Sequence, residues 1–178
     1  KYDVDPEATD PDLSFALQTP TNSKDAEIYG FEIASQHFFG DSGYGYQFNY
    51  TIVEGDIGFN NGSNPNEDQF ALPGLSDTLN LVGIYEKDNL SARLAYNWRD
   101  DFLNRVNRPA STRNPEYVAS VEQVDLNVSY ELDSGVVLAL DAINLTGEGH
   151  RKYGRNKNAA FFVQELDPRY VISARYSF

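Results

Sequence analysis

Apolar and polar residues alternate one for one along most of this chain. Successive side chains on a β-strand point to opposite faces, so the alternation predicts strands set between two unlike environments. The last eleven residues, PRYVISARYSF, show it well. Tyr170, Ile172, Ala174, Tyr176 and Phe178 fall on one face, against Val171, Ser173, Arg175 and Ser177 on the other. The same pattern predicts strands over about 25–39, 44–56, 78–87, 90–102, the stretch around 121–132, and one starting near 136. In the second, Tyr44, Tyr46, Phe48, Tyr50 and Ile52 oppose Gln47, Asn49 and Thr51. In the fifth, Val124, Leu126, Val128, Tyr130 and Leu132 oppose Gln123, Asp125, Asn127, Ser129 and Glu131. Residues 1–24 are acidic and proline-rich and read as loop, with a short alternating segment at Leu13, Phe15 and Leu17.

The turns fix the register. Residues 40–43 make a four-residue turn, Asp88 and Asn89 a two-residue turn, and Asp133–Gly135 a three-residue turn with glycine for a left-handed position. Closing them sets Phe39 opposite Tyr44, Tyr85 opposite Ala92, and Leu132, Tyr130 and Val128 opposite Val136, Leu138 and Leu140. Asn127 then meets Asp141 on the other face. A one-residue slip would mix every face, and none is needed. Short turns alternate strictly with long segments at 1–24, 57–77, 103–119 and 147–167. All short turns therefore share one end. Outer-membrane barrels carry short periplasmic turns and long extracellular loops, with aromatic girdles at both interfaces. Tyr44, Tyr85, Tyr130 and Tyr176 fall near the short-turn end, and Tyr29, Trp98, Phe102 and Tyr170 near the other. The pattern predicts an all-β, antiparallel, up-and-down transmembrane barrel segment of seven or eight strands. A closed eight-stranded barrel, with residues 12–19 pairing with 168–178, and a soluble β-sandwich or lipocalin-like binder are the alternatives.

Composition narrows the function. The 178 residues carry a net charge of -13, which argues against nucleic acid as a partner. There is no Cys and only two His, so disulfides, thiolate metal sites and a thiol nucleophile are excluded, and no nucleophile elbow or paired-His motif appears. No calcium-loop spacing is present, no metal or cofactor is expected, and the chain does not read as an enzyme. No apolar run reaches the length of a membrane helix, which leaves barrel strands open.

Residues 25–178 resemble the C-terminal strands of TonB-dependent outer-membrane receptors. The resemblance rests on an ordered set: AEIYGFEIASQHFF, GYQFNYT, LPGLSDTLNLVGIYEKDNLSARLAYNWRDDFL, VDLNVSYELDSGVVLALDAINLT, and YGRNKN leading into RYVISARYSF. Its spacing resembles the group often linked to saccharide uptake. The resemblance implies the last third or so of a barrel of roughly 22 strands, with 25–178 as its strands and 1–24 as an extracellular loop region. A plug and a TonB-contacting segment (TonB box) are expected in residues outside this sequence. It implies import of a scarce solute, a saccharide or siderophore-like molecule.

Three groups of residues are candidates for that work. Arg93, Asn97, Arg99, Asp125, Asn127, Asp141 and Arg175 fall on the polar face, where the resemblance implies contact with a plug or a solute. Asp125 and Asp141 on adjacent strands suggest paired carboxylates, but lumen-facing polar residues hydrogen-bonded to Asn127 and its neighbours, as a wet barrel wall requires, are the better reading. In the loops, Tyr117, Arg151, Tyr153, Arg155, Phe161 and Phe162 are candidates for stacking on a ligand or binding its charge. The basic run from His150 to Lys157 is expected to meet lipopolysaccharide phosphates or acidic loops such as residues 3–12. By resemblance, the aromatic terminal strand (Tyr170, Ile172, Tyr176, Phe178) is a signal for the barrel assembly machinery.

Overall fold

The computed structural model describes residues 24–107 and 114–176. The segment around Leu13 and the final residues Ser177 and Phe178 lie outside the described residues, so neither an eighth strand nor the terminal aromatic is addressed. Seven long strands form one antiparallel sheet: β1 (Ile28–Phe38), β2 (Tyr44–Gly55), β3 (Thr78–Lys87), β4 (Leu90–Arg99), β7 (Val121–Glu131), β8 (Val136–Ile143) and β11 (Arg169–Tyr176). They run side by side in chain order, as an up-and-down barrel wall does, and the sheet is open among the described residues. A second sheet lies in the long connections, in the order β10 (Ala160–Gln164), β9 (His150–Tyr153), β6 (Glu116–Val118), β5 (Phe102–Arg105).

The register follows from the turns. Tyr85 pairs with Ala92, Tyr130 with Leu138, Val128 with Leu140, and Asn127 with Asp141. Phe39 N–H donates to Tyr44 O at 2.9 Å, and Leu132 N–H to Val136 O at 2.8 Å, so all three hairpins close as the alternation requires. Asp88 takes a φ of 53° and Gly135 a φ of 80°, which is why these turns need residues that tolerate the left-handed region. All three turns stand at one end of the sheet, and the connections 56–77, 100–120 and 144–168 at the other.

One face is mainly apolar and the other mainly polar. One continuous row reads Tyr46, Gly83, Leu94, Leu126, Ala142, Tyr170; the next reads Tyr44, Tyr85, Ala92, Val128, Leu140, Ile172. This face is apolar yet bare. Phe31 is 79% exposed and Ile172 83%. A sandwich or lipocalin would cover such a face with a second layer, and nothing covers these residues among the described ones. Ser35, one of the few polar residues on this face, among them His37, Glu54 and Glu122, has its hydroxyl within 3.1 Å of the Tyr46 hydroxyl. Tyr44 and Tyr85 meet ring to ring at 4.8 Å near the short turns. Phe102 does not join the opposite girdle: β4 stops at Arg99, and the Arg99 guanidinium lies 3.9 Å over the Phe102 ring.

Two of the long segments expected as loop, 103–119 and 147–167, therefore hold four short strands. These have three to five residues each, too few for alternation to register, and they gain stability by pairing across loops rather than from their own sequence.

Candidate functional site

Two surfaces carry chemistry: the polar face of the large sheet and the loop sheet at its long-loop end.

On the polar face, Arg93, Asn97, Arg99, Asp125, Asn127, Asp141 and Arg175 all project to the same side. Arg93, Asn127 and Asp141 form one row across β4, β7 and β8. Asn127 Nδ2 donates to Asp141 Oδ1 at 2.5 Å, and Arg93 Nη2 to Gln47 Oε1 at 3.3 Å. Asp125 accepts from Gln123 Nε2 at 2.8 and 3.0 Å and from the Asn144 backbone N–H at 2.8 Å. The two carboxylates are thus engaged by different neighbours and do not face each other as a catalytic pair. Arg175 stands across from Val137, away from this network. Two rows nearer the long loops than Arg93, Asn127 and Asp141, Asn49, Asn80, Asn97 and Gln123 stand side by side on β2, β3, β4 and β7.

The loop sheet is built around a tyrosine pair. β6 and β9 set Tyr117 opposite Tyr153, and the rings stack at 5.3 Å and 10°. The Tyr153 hydroxyl donates to Asp101 Oδ2, and Lys157 Nζ approaches the same oxygen at 2.8 Å. Burial and the Asp101 carboxylate push the Tyr153 phenol well up, so it stays protonated and donates. Burial pushes Asp101 up as well, but hydrogen bonds from Lys157 and Tyr153 outweigh it and hold the carboxyl below its ordinary value. Glu116 is buried with Asn104 at 2.5 Å, Lys152 at 3.2 Å and Arg105 at 3.4 Å; these partners overcome its burial and lower it too.

Arg155 ties the third long connection to the first. Its Nη1 donates to Asn61 O at 2.8 Å and Ser63 O at 2.7 Å, its guanidinium lies 5.4 Å from the Phe59 ring centre, and Tyr117 Oη donates to Asn61 Oδ1 at 3.3 Å. Gly149 is needed where β9 approaches β10, because a Cβ there would collide with Gln164 O.

The structure thus brings Tyr117, Tyr153 and Arg155 together. Arg151 joins them at one remove through Lys157 O, at 2.7 Å. Phe161 and Phe162 part company: the β9–β10 pairing shifts register between Ala160 and Phe162. Phe161 lines a cleft beside Arg155, while Phe162 is exposed with Lys152 Nζ 5.8 Å from its ring centre. The basic run is less free than its sequence suggests, since Lys152 and Lys157 pair with Glu116 and Asp101. Residues 3–12, the acidic partner expected for it, lie outside the described residues.

Sequence reasoning passed over Asp101, Glu116 and Asn144. Asn144 is buried with a φ of 58°, donates to Glu148 O at 2.9 Å, and accepts from Glu148 N–H at 2.9 Å. Its signal was available: an asparagine at the end of a strand, in the run Asn-Leu-Thr-Gly, suits a left-handed turn position. Asp101 and Glu116 had none, because the lysines that pair with them, Lys157 and Lys152, come from another connection.

Against known proteins, no curated protein and no solved structure matches the chain. A family model described as TonB dependent receptor-like, beta-barrel matches residues 2–145, which takes in β1 through β8. β11 lies beyond that match but pairs with β8 throughout its length, extending the same wall. A bare apolar face, a polar face opposite and strictly alternating short and long connections agree with the match: the chain belongs to the TonB-dependent-receptor-like β-barrel family, a family of outer-membrane receptors and transporters rather than enzymes.

Proposed function

We propose that this chain forms the C-terminal barrel strands of a receptor that imports a scarce solute, a saccharide or siderophore-like molecule, across a bacterial outer membrane. One observation carries the reading: a single seven-stranded wall turns exposed rows of Leu, Phe, Tyr and Ile to one side and engaged Asp, Asn and Arg to the other. Lipid on the first side and a wet interior on the second satisfy both faces at once. TonB supplies the energy, through a contacting segment and a plug carried by residues outside this sequence. Arg93, Asn97, Arg99, Asp125, Asn127, Asp141 and Arg175 face the plug or the solute. The long connections face outward, where Tyr117, Arg151, Tyr153, Arg155, Phe161 and Phe162 meet the arriving solute, and exposed basic residues such as Arg151 meet lipopolysaccharide phosphates.

The decisive experiment is uptake by cells carrying the full-length receptor, with and without TonB, across labelled saccharides and ferric siderophores. Accumulation of one solute that needs both receptor and TonB is expected. Uptake indifferent to either would overturn the proposal. The terminal strand has its own test: we propose that Tyr170, Ile172, Tyr176 and Phe178 present an edge that the assembly machinery extends by strand addition. Deleting Phe178 should lower the amount of inserted receptor, and undiminished surface display would refute that role.

A further inference from the structure

We infer that a hollow on the apolar face, near the short turns, seats one glycerophospholipid, with its phosphate held by Lys87, Tyr44 and Tyr85 and an acyl chain laid over Gly83. The inference takes from the reading above only the outer-membrane setting, with the short turns on the periplasmic side, and goes beyond it to a lipid ligand.

Lys87 is the only lysine or arginine on the apolar face of the seven long strands. It ends β3, two residues beyond Tyr85 and on the same face. The base of its side chain is fixed. Glu86 N–H donates to Gly43 O at 2.7 Å, and a Cβ at Gly43 would come within 2.7 Å of the Lys87 Cβ, so the first turn packs directly against the lysine. Tyr44 stands opposite Tyr85, with ring centres 4.8 Å apart. The Lys87 ammonium and the hydroxyls of Tyr44 and Tyr85 have no hydrogen-bond or ion-pair partner among the described residues. The acidic neighbours in the chain do not supply one: Glu86 falls on the polar face, and Asp88 takes the left-handed position of the turn.

The hollow lies one step further into the wall. Tyr44, Tyr85, Ala92, Leu94 and Leu126 surround a space of about 270 Å³ over Gly83. Gly83 stands between Tyr46 and Leu94, and a Cβ there would meet no atom within 4 Å. Its missing side chain therefore opens room on this face and relieves no clash.

The two parts together read as a lipid. An ammonium only donates, and a phenol hydroxyl donates readily to an anion, so the upper part suits the free oxygens of a phosphodiester. The lower part offers apolar atoms alone and suits a methylene chain. The order, charge at the short-turn end and hydrocarbon toward mid-wall, is that of a lipid in the periplasmic leaflet. Lipopolysaccharide occupies the other leaflet, which leaves a glycerophospholipid. Inorganic phosphate would fill only the upper part and a bare hydrocarbon only the lower.

The test uses the full-length receptor purified in a neutral detergent and native mass spectrometry with added phosphatidylglycerol, or with diacylglycerol of the same chains. One phosphatidylglycerol should be retained, in clear preference to diacylglycerol. Lys87→Gln should lower its retention about fivefold, the worth of one basic residue at a lipid surface. Lys87→Arg should keep it. Gly83→Leu, which fills the hollow with a residue suited to lipid, should lower it by a similar factor. Ser129→Ala, on the polar face, should change nothing. Heat-modifiable migration on gels confirms that each variant keeps its barrel, and Gly83→Val replaces Gly83→Leu where it does not. Equal retention of the two lipids, or retention indifferent to Lys87→Gln or to Gly83→Leu, would overturn the inference. So would a preference for lipopolysaccharide that Lys87→Gln removes, because the lysine would then stand in the other leaflet. TonB-dependent uptake by a receptor that retains no phospholipid would overturn this inference while the import reading stood. Retention that depends on Lys87 in a receptor without TonB-dependent uptake would do the reverse.

Discussion

Neighbouring residues in this chain face opposite solvents, and Leu126 and Asn127 show what that means. Leu126 sits between Leu94 and Ala142 on the bare apolar face, and Asn127 sits between Arg93 and Asp141 on the polar one. Placing an arginine at Leu126, near mid-wall, should cost about 2–4 kcal/mol, the range for a cation turned toward lipid. Asn127→Arg should cost much less, since Asp141 stands ready to pair with it. A refolding titration of the full-length receptor into bilayers reads both, and equal costs would contradict the facing. The loop residues make a pH prediction. Asp101 and Glu116 are held below their ordinary values, so in the folded state they bind protons less readily than in the unfolded one. Their contribution is complete above the unfolded values, about 3.9 and 4.3, and is lost as pH falls through the lower folded ones. Amides of β6 and β9 should therefore exchange slowly at neutral pH and lose protection in strong acid, before the long strands do. Asp101→Asn should shift that loss of protection and weaken it at neutral pH as well. Protection that is flat across the acid range would refute the role of these carboxylates.

At the scale of elements, the long strands and the short connections behave differently. Every long strand was legible because eight or more alternating residues leave only one register that keeps the faces apart. The turns were legible for a chemical reason: Asp88-Asn89 and Asp133-Ser134-Gly135 suit left-handed backbone. The strands β5, β6, β9 and β10 were not. A three-residue strand such as Glu116–Val118 has no period to detect, and its partner β9 lies more than thirty residues away. The same reason hid the loop site. Tyr117, Tyr153 and Arg155 could be named as candidates from residue type, but the ion pairs that lock them, Asp101 with Lys157 and Glu116 with Lys152, join separate connections. Phe161 and Phe162 looked equivalent until the register shift beside them placed one in the cleft and one outside. Tyr153→Phe tests the lock directly. It keeps the stacked ring and removes the hydroxyl that donates to Asp101, which should cost the loop sheet about 1.5–3 kcal/mol, as expected for a hydrogen bond to a charged group. Local hydrogen exchange in β6 and β9 measures it, and unchanged protection would show that stacking alone holds the pair.

For the molecule as a whole, the small dry interior is the informative quantity. A chain of this length in water would hide its large apolar residues, yet Phe31, Ile33, Leu94, Tyr170 and Ile172 are all more than half exposed. Val82 and Ile84, among the few buried apolar residues, belong to the polar face of β3, where Phe38 lies near Gly45 beside them. A soluble β-protein reverses this arrangement. Lipid removes the contradiction, because it is the solvent that exposed Leu and Phe require, and the alternating short and long connections give the wall a direction across it. The most direct test is nitroxide labelling of the full-length receptor in bilayers, at Leu94, Leu126 and Ile172 on one face and at Asn127, Ser129 and Ser173 on the other. The account predicts relaxation by oxygen in preference to a water-soluble nickel chelate at the first three, and no oxygen preference at the second three. Oxygen preference at Asn127, Ser129 and Ser173, with nickel access at Leu94, Leu126 and Ile172, would contradict it.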